Sequence, residues 1–163
     1  MTTPEFILRL REKIGHAPLW LTGVTAVVVR DDAVLLVERA DNGMITPVTG
    51  IIDPGEDPAD AAVREVAEET DIEAAPEALV LVHALPPMRH ANGDEAQYLD
   101  IVLRLRHVSG EPSPADGENV RTWWCPVAGL DGAGLNADMR ERVRAALEHP
   151  ESALFSHRGA RRP

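Results

Sequence analysis

Residues 50–72 read GIIDPGEDPADAAVREVAEETDI, and how that stretch divides decides the fold. From Gly50 to Asp57 it is punctuated by Gly, Pro and Asp, so it reads as a loop. Asp57 followed by Pro58 is a helix-start signal, with Asp60 three residues after the cap, and the helix runs to Thr70. Ala59, Ala62, Val63 and Val66 form its apolar stripe, small enough to let the helix lie close against a sheet. Each helical residue turns by about 100°, which puts Glu65 and Glu69 about 40° apart and Glu68 about 60° to the other side. Three carboxylates therefore leave the side opposite the stripe, with only Arg64 next to them. An isolated acidic run of this kind is ordinarily a solvated face. The upstream loop changes that reading, because Glu56, eight residues before Arg64, can fold back as its counter-ion. Glu65, Glu68 and Glu69 are then left for a hard cation. Oxygen-only donors suit Mg²⁺ or Mn²⁺, which keep several waters and complete their shell from substrate phosphates.

The flanking sequence supplies a sheet and two more helices. Thr3 and Pro4 start a short helix in which Phe6, Ile7, Leu10 and Ile14 recur at helical spacing until Gly15. Two β-branched runs, Thr22 to Arg30 and Ala33 to Arg39, are joined at Asp31-Asp32 as a hairpin, and Met44 to Thr49 is a shorter strand. Leu79 to Leu85 reads as a buried strand. In Gln97 to His107, Leu99, Ile101, Leu103 and Leu105 alternate with Asp100, Arg104 and Arg106, which point the other way. Val120 to Cys125 is another strand, and Asn136 caps a last helix that ends at Pro150. Strands mixed with helices indicate an α/β sandwich. The expected layout is one domain over residues 1–155, with its first helix at about 4–14, followed by a mobile basic tail at 156–163.

Composition narrows the function. The chain has 163 residues and a formal charge of −11, which argues against a nucleic-acid polymer as partner. Hydrophobic residues at 44% against 26% charged allow a packed core. The lone Cys125 excludes an intramolecular disulfide and a multi-cysteine zinc site, and fits a reducing compartment. No apolar run approaches the roughly 18 residues of a membrane span, so a cytoplasmic location is expected. The six histidines lack HExxH spacing, Gly129, Gly132 and Gly134 do not form a phosphate loop, and no GxSxG elbow is present.

The order Gly50, five residues, Glu56, seven residues, Arg64-Glu65, apolar Val66, one residue, Glu68-Glu69, one residue, then an apolar Ile72 resembles the signature of the Nudix hydrolases. The match departs at Asp71, where the family has Gly. It departs again at Val48-Thr49-Gly50, where many members read Pro-Gly-Gly. Asp tolerates the positive φ of a helix C-terminus at modest cost, and neither change removes a charged position. The resemblance implies a Nudix-type αβα sandwich with a mixed β-sheet, in which MutT-like and ADP-ribose pyrophosphatase-like enzymes hydrolyse a diphosphate linked to another moiety. It assigns metal binding to Glu65, Glu68 and Glu69 with the Gly50 carbonyl, and helix orientation to Arg64 and Glu56. The general base varies across the family. Glu69, Glu65 or an acid outside the motif, Glu118 in the loop Ala115 to Asn119, are the candidates.

For the substrate, Trp20, Tyr98, Trp123 and Trp124 are the aromatic platforms. Trp123 and Trp124, adjacent in a strand, face opposite sides of the sheet. Arg89 and His90, in the loop Pro86 to Glu95, are placed to meet a phosphate or ribose. Roughly 15 to 18 places beyond the motif, ADP-ribose hydrolases of the family tend to carry Pro and dinucleoside polyphosphate hydrolases Tyr. This chain has Pro86-Pro87, which leans towards ADP-ribose or a nucleotide sugar. A nucleoside triphosphate pyrophosphohydrolase and a non-catalytic nucleotide sensor are the alternatives, and many relatives are homodimers.

Overall fold

The structure, a computed structural model, describes residues 3–157 and 160–162, with side chains up to residue 155. The elements follow in the order α1 (Glu5–Ile14), β1 (Leu19–Arg30), β2 (Ala33–Arg39), β3 (Ile45–Thr46), β4 (Val48–Ile51), α2 (Pro58–Thr70), β5 (Glu73–Ala84), β6 (Met88–Arg89), β7 (Glu95–Ser109), β8 (Asn119–Pro126), a 3-10 helix (Val127–Gly132), α3 (Ala137–Glu148), β9 (Leu154–His157) and β10 (Ala160–Arg162). They build one mixed sheet. β1 runs parallel to β7 and antiparallel to β2 and β4, while β7 is antiparallel to β5 and β2 to β8. The part of the expected tail whose backbone is described pairs as β9 and β10, with β9 beside β5. Residues 158, 159 and 163 lie outside the described residues.

Val24 to Val29 are buried without interruption, as a central strand covered on both faces requires. On one face Val24, Ala26, Val28 and Leu35 pack against Ala61, Ala62 and Val66 of α2. On the other, Val27, Val29, Val34 and Leu36 pack against Val143, Ala145 and Ala146 of α3. This is the αβα sandwich. A third cluster joins Ile7 of α1 to Leu21, Ile51 and Ala96 at the edge of the sheet. The rest of the α1 stripe is open, since Leu10 and Ile14 are both more than a third exposed. Trp124 packs in the α2 layer and Trp123 in the α3 layer.

Local chemistry sets the ends of the elements. The β1–β2 hairpin turns at Asp31-Asp32, with Arg30 opposite Ala33 and Asp31 at φ 50°. The Asn136 side chain accepts from the Met139 amide at 2.8 Å and caps α3. Asp57 is the N-cap of α2, but its carboxylate makes no capping hydrogen bond. Asp71 ends α2 in the left-handed region at φ 58°, ψ 26°, so the family's glycine position is met by a residue that reaches the conformation at a cost.

Two expectations are corrected. The strand expected from Met44 to Thr49 is two strands, and it continues through Gly50 to Ile51. Pro47 has no N–H to give to a ladder, and the chain changes partner there, from β2 to β1. Leu79 is 42% exposed, because β5 slips register on either side of it, between Pro76 and Ala78 and again between Leu79 and Leu81. Asp100 points away from Ile101, Leu103 and Leu105, which pack on the α2 side, as the alternation predicts. It is 3% exposed, under α3. Its carboxylate accepts from Thr25 Oγ1 at 3.0 Å, lies 3.2 Å from Arg142 Nη1 and 3.1 Å from His83 Nε2. Arg142 also donates to Thr25 Oγ1 at 2.8 Å and pairs with Asp138. This buried polar network ties α3 to β1, β5 and β7.

Candidate active site

The site is built where β4 runs into the loop Ile52 to Asp57 and on into α2. Gly50 stands on β4 opposite Val24, and a β-carbon there would overlap the Glu65 side chain. Only glycine lets the α2 carboxylate lie against that strand. Arg64 is gripped by the loop. Its Nε donates to Glu56 Oε1 at 2.8 Å and its Nη2 to Glu56 Oε2 at 2.9 Å, a bidentate pair across eight residues. Glu56 is itself fixed by the Asp53 amide at 3.1 Å. The same guanidinium reaches further than a single counter-ion requires: Nη2 donates to the Ile51 carbonyl at 3.3 Å, and Nη1 to Glu65 at 2.9 Å and Glu68 at 3.3 Å. Arg64 therefore pins the loop, the strand end and two of the three helix carboxylates together.

The carboxylates do not stand on a solvated face. Glu65 is 8% and Glu69 2% exposed, and only Glu68 is open. The cover comes from residues remote in the chain. The Ser113 amide donates to Thr70 O at 3.0 Å and the Ala115 amide to Glu69 O at 3.2 Å. Asn119 Nδ2, at the start of β8, donates to Glu69 Oε2 at 2.8 Å. Glu69 Oε1 is buried without a hydrogen-bond partner. Burial pushes the Glu69 carboxyl up to about 7, with Glu65 and Asp116 adding repulsion against the Asn119 bond. Burial also raises Glu65, against the pull of Arg64, whereas the Arg64 hydrogen bonds hold Glu56 below the ordinary carboxylate range.

An open cleft of about 560 Å³ lies over this helix. Arg64, Glu65 and Glu68 line it from α2, with Ile51 and Asp53 from the strand end and loop. Asp116 and Glu118 enter from the segment before β8, and Thr3, Pro4, Glu5 and Leu8 from the N-terminal end of α1. The Glu118 backbone is anchored, its carbonyl accepting from the Ala40 amide at 2.8 Å and its amide donating to Asp116 Oδ1 at 2.9 Å. Glu69 is not in the lining but behind it. The aromatic and basic candidates stand elsewhere. Trp20 is 58% exposed, Tyr98 packs on the α1 cluster, and Arg89 and His90 are exposed on and after β6. Asn119, Asp116 and Asp53 are the site residues that the sequence reading missed. Asn119 had a signal, since it ends the same Gly-containing loop that offered Glu118.

Among the described residues, no three acidic, His or Cys side chains already form a closed metal cage. The donors nonetheless fit a hard divalent cation. They are oxygen-only, two are desolvated carboxylates, and one buried oxygen lacks a partner.

The strand–loop–helix that carries the Nudix-like sequence pattern thus gathers its carboxylates around one clamped arginine. A model of the NUDIX domain matches residues 20–148, and the chain belongs to that family. Its members are generally pyrophosphohydrolases that use divalent metal ions and bind nucleotide derivatives. Among solved structures, a NUDIX hydrolase from Nitrosomonas europaea is 26% identical, covering 80% of this chain and 90% of its own at a TM-score of 0.66. An ADP-ribose pyrophosphatase from Streptococcus suis is 21% identical over 83% of this chain and 98% of its own, with a TM-score of 0.65. An Ap4A hydrolase from C. elegans is 20% identical over 78% and 96%, with a TM-score of 0.59. No curated protein matches the chain.

Proposed function

We propose that this protein is a Mg²⁺- or Mn²⁺-dependent hydrolase that cleaves the diphosphate of a nucleoside diphosphate derivative, with ADP-ribose or a nucleotide sugar as the preferred class. The observation that supports it best is the seating of Glu65 and Glu68 on the wall of an open cleft by one clamped arginine. Glu65, Glu68 and Glu69 with the Gly50 carbonyl would hold the metal, which neutralises substrate oxygens and acidifies the attacking water. Arg64 and Glu56 keep α2 at a fixed distance from β4, so the carboxylates need not reorganise when the substrate arrives. Asn119 orients Glu69 through its Oε2. Glu118, on the cleft wall, is the proposed acceptor of the water's proton, and positioning supplies much of the remaining acceleration.

The test is a product assay with Mg²⁺ across ADP-ribose, nucleotide sugars, dinucleoside polyphosphates and nucleoside triphosphates. The expected result is metal-dependent release of AMP and ribose 5-phosphate from ADP-ribose with the highest kcat/KM of the panel. Glu118→Gln should lower kcat on the order of 10²-fold with an unchanged thermal midpoint. Tight nucleotide binding without turnover of any diphosphate would instead make the domain a sensor.

A further inference from the structure

Residues 110–118 join β7 to β8 and bring Asp116 and Glu118 to the cleft. None of them is buried, so this strap has no core residue of its own to fix it. Its place is set by the end of α2. The Ser113 and Ala115 amides donate to the Thr70 and Glu69 carbonyls, which a helix C-terminus leaves without intrahelical partners. The Arg30–Glu111 salt bridge adds little, because the Glu111 side chain is 78% exposed.

The tightest contact is at Gly110, whose φ is +91°. A β-carbon there would stand 2.6 Å from the Asp71 carbonyl oxygen and 3.3 Å from Ile72 Cα. Both are backbone atoms and cannot rotate aside, so a side chain would push the strap off α2 by roughly 1 Å. His107 holds the same residue from the sheet, its Nε2 donating to the Gly110 carbonyl at 2.9 Å. Further along, Asp116 Oδ1 accepts from the Glu118 amide at 2.9 Å and fixes the peptide that carries Glu118. The direction of the Glu118 side chain thus depends on where Asp116 stands, and Asp116 directly follows the Ala115 bond to α2.

We propose that residues 110–118 aim Glu118 at the cleft: Gly110 seats the strap on α2, and Asp116 turns Glu118 through its amide. This deepens the hydrolase reading and rests on it. Gly110 and Asp116 are positioning residues with no part in the chemical step. Asp116 acts as a hydrogen-bond acceptor rather than as a charge. A misplaced base slows the chemical step, on the order of 10²-fold for about 1 Å, so the loss falls on kcat rather than KM.

Kinetics with ADP-ribose and Mg²⁺ compare wild type, Gly110→Ala, Asp116→Ala, Asp116→Asn and Glu118→Gln, with Gly15→Ala as control. Gly15 also has a positive φ, but a β-carbon there meets nothing within 4 Å. Gly110→Ala and Asp116→Ala should each lower kcat by about ten- to thirtyfold and leave KM within about twofold. Asp116→Asn keeps the acceptor and should stay within about threefold of wild type, and Gly15→Ala should match it. Combined with Glu118→Gln, Gly110→Ala should cost little more than Glu118→Gln alone, because both act through one group. Multiplying losses in that double variant, or an Asp116→Asn as slow as Asp116→Ala, would overturn the aiming role and leave the hydrolase reading intact. Amide hydrogen exchange reads the seat without turnover. The Ser113 and Ala115 amides should be protected in the wild type and exchange about tenfold faster in Gly110→Ala, while buried Val27 stays unchanged. Unprotected amides in the wild type, or unaltered exchange in Gly110→Ala, would remove the seat. Protected amides in a wild type that cleaves no diphosphate would end the hydrolase reading and the aiming role together.

Discussion

Glu69 makes the strongest single demand on the fold: a carboxylate 2% exposed, one oxygen on Asn119 and the other without a partner. In metal-free protein its carboxyl is held up to about 7, mainly by burial, against an ordinary value of 4.5. The folded chain therefore keeps a proton that the unfolded chain loses between those values. Its contribution to stability is fully present below 4.5 and is lost as pH rises through 7, by about 3 kcal/mol at most. With EDTA present, the urea midpoint should fall from pH 5 to pH 7.5, and Glu69→Gln should flatten that part of the profile while keeping the thermal midpoint within a few degrees. Added Mg²⁺ should raise the wild-type midpoint at pH 7.5 and leave that of Glu69→Gln nearly still. A flat wild-type profile would mean that Glu69 is better solvated than its burial indicates. Asp71 offers a simpler test at the same scale. It sits at φ 58°, with a negative charge at the C-terminal end of α2 where the helix dipole disfavours one. Asp71→Gly should add up to about 1 kcal/mol of stability, read from thermal unfolding, with kcat unaltered because its backbone conformation is already that of the glycine.

At the scale of elements, what the sequence made legible was local. The loop and start of α2, the hairpin at Asp31-Asp32, the Asn136 cap and the return of Glu56 to Arg64 each depend on residues within a few turns of one another. The burial of Glu65 and Glu69 was not legible, because their cover comes from Gly50 on a strand and from residues 113–119, far along the chain. The side on which Asp100 lies was legible, but its burial was not, for the same reason. An acid alternating with apolar residues looks solvent-facing until α3 supplies Arg142 from a distance of 42 residues. Nor could spacing reveal that Trp20, Arg89 and His90 would stand away from the cleft, since that depends on where β6 and the start of β1 fall in the sheet. The Asp100 network makes its own prediction. A buried ion pair is weak evidence for stability as a pair, but removing one partner strands the other. Arg142→Ala leaves the Asp100 charge to Thr25 and His83 and should cost about 3–5 kcal/mol in urea denaturation. The double replacement Arg142→Met with Asp100→Leu should recover much of that loss, whereas additive losses would show that the two residues act independently.

The whole molecule sets the terms on which an anionic substrate approaches. The formal charge is −11, and among the described residues the acids lining the cleft outnumber the one arginine there. Enzymes that draw anions in through a basic funnel lose kcat/KM as salt screens the attraction. Here the sign is reversed, because protein and nucleotide repel until metal neutralises the diphosphate. At a fixed free Mg²⁺ concentration that leaves most of the ADP-ribose uncomplexed, raising ionic strength from about 0.02 to 0.2 M shortens the Debye length from roughly 20 Å to 7 Å. That screens the repulsion beyond the contacting groups. The kcat/KM for ADP-ribose should then rise by about two- to threefold, with kcat nearly constant, since the effect acts on encounter rather than on the bound complex. Replacing Na⁺ with a larger monovalent cation at equal ionic strength should give the same rise, which separates screening from a specific cation site. A fall in kcat/KM over that range would place an electropositive entrance on this acidic protein and move the productive approach away from the cleft beside α1.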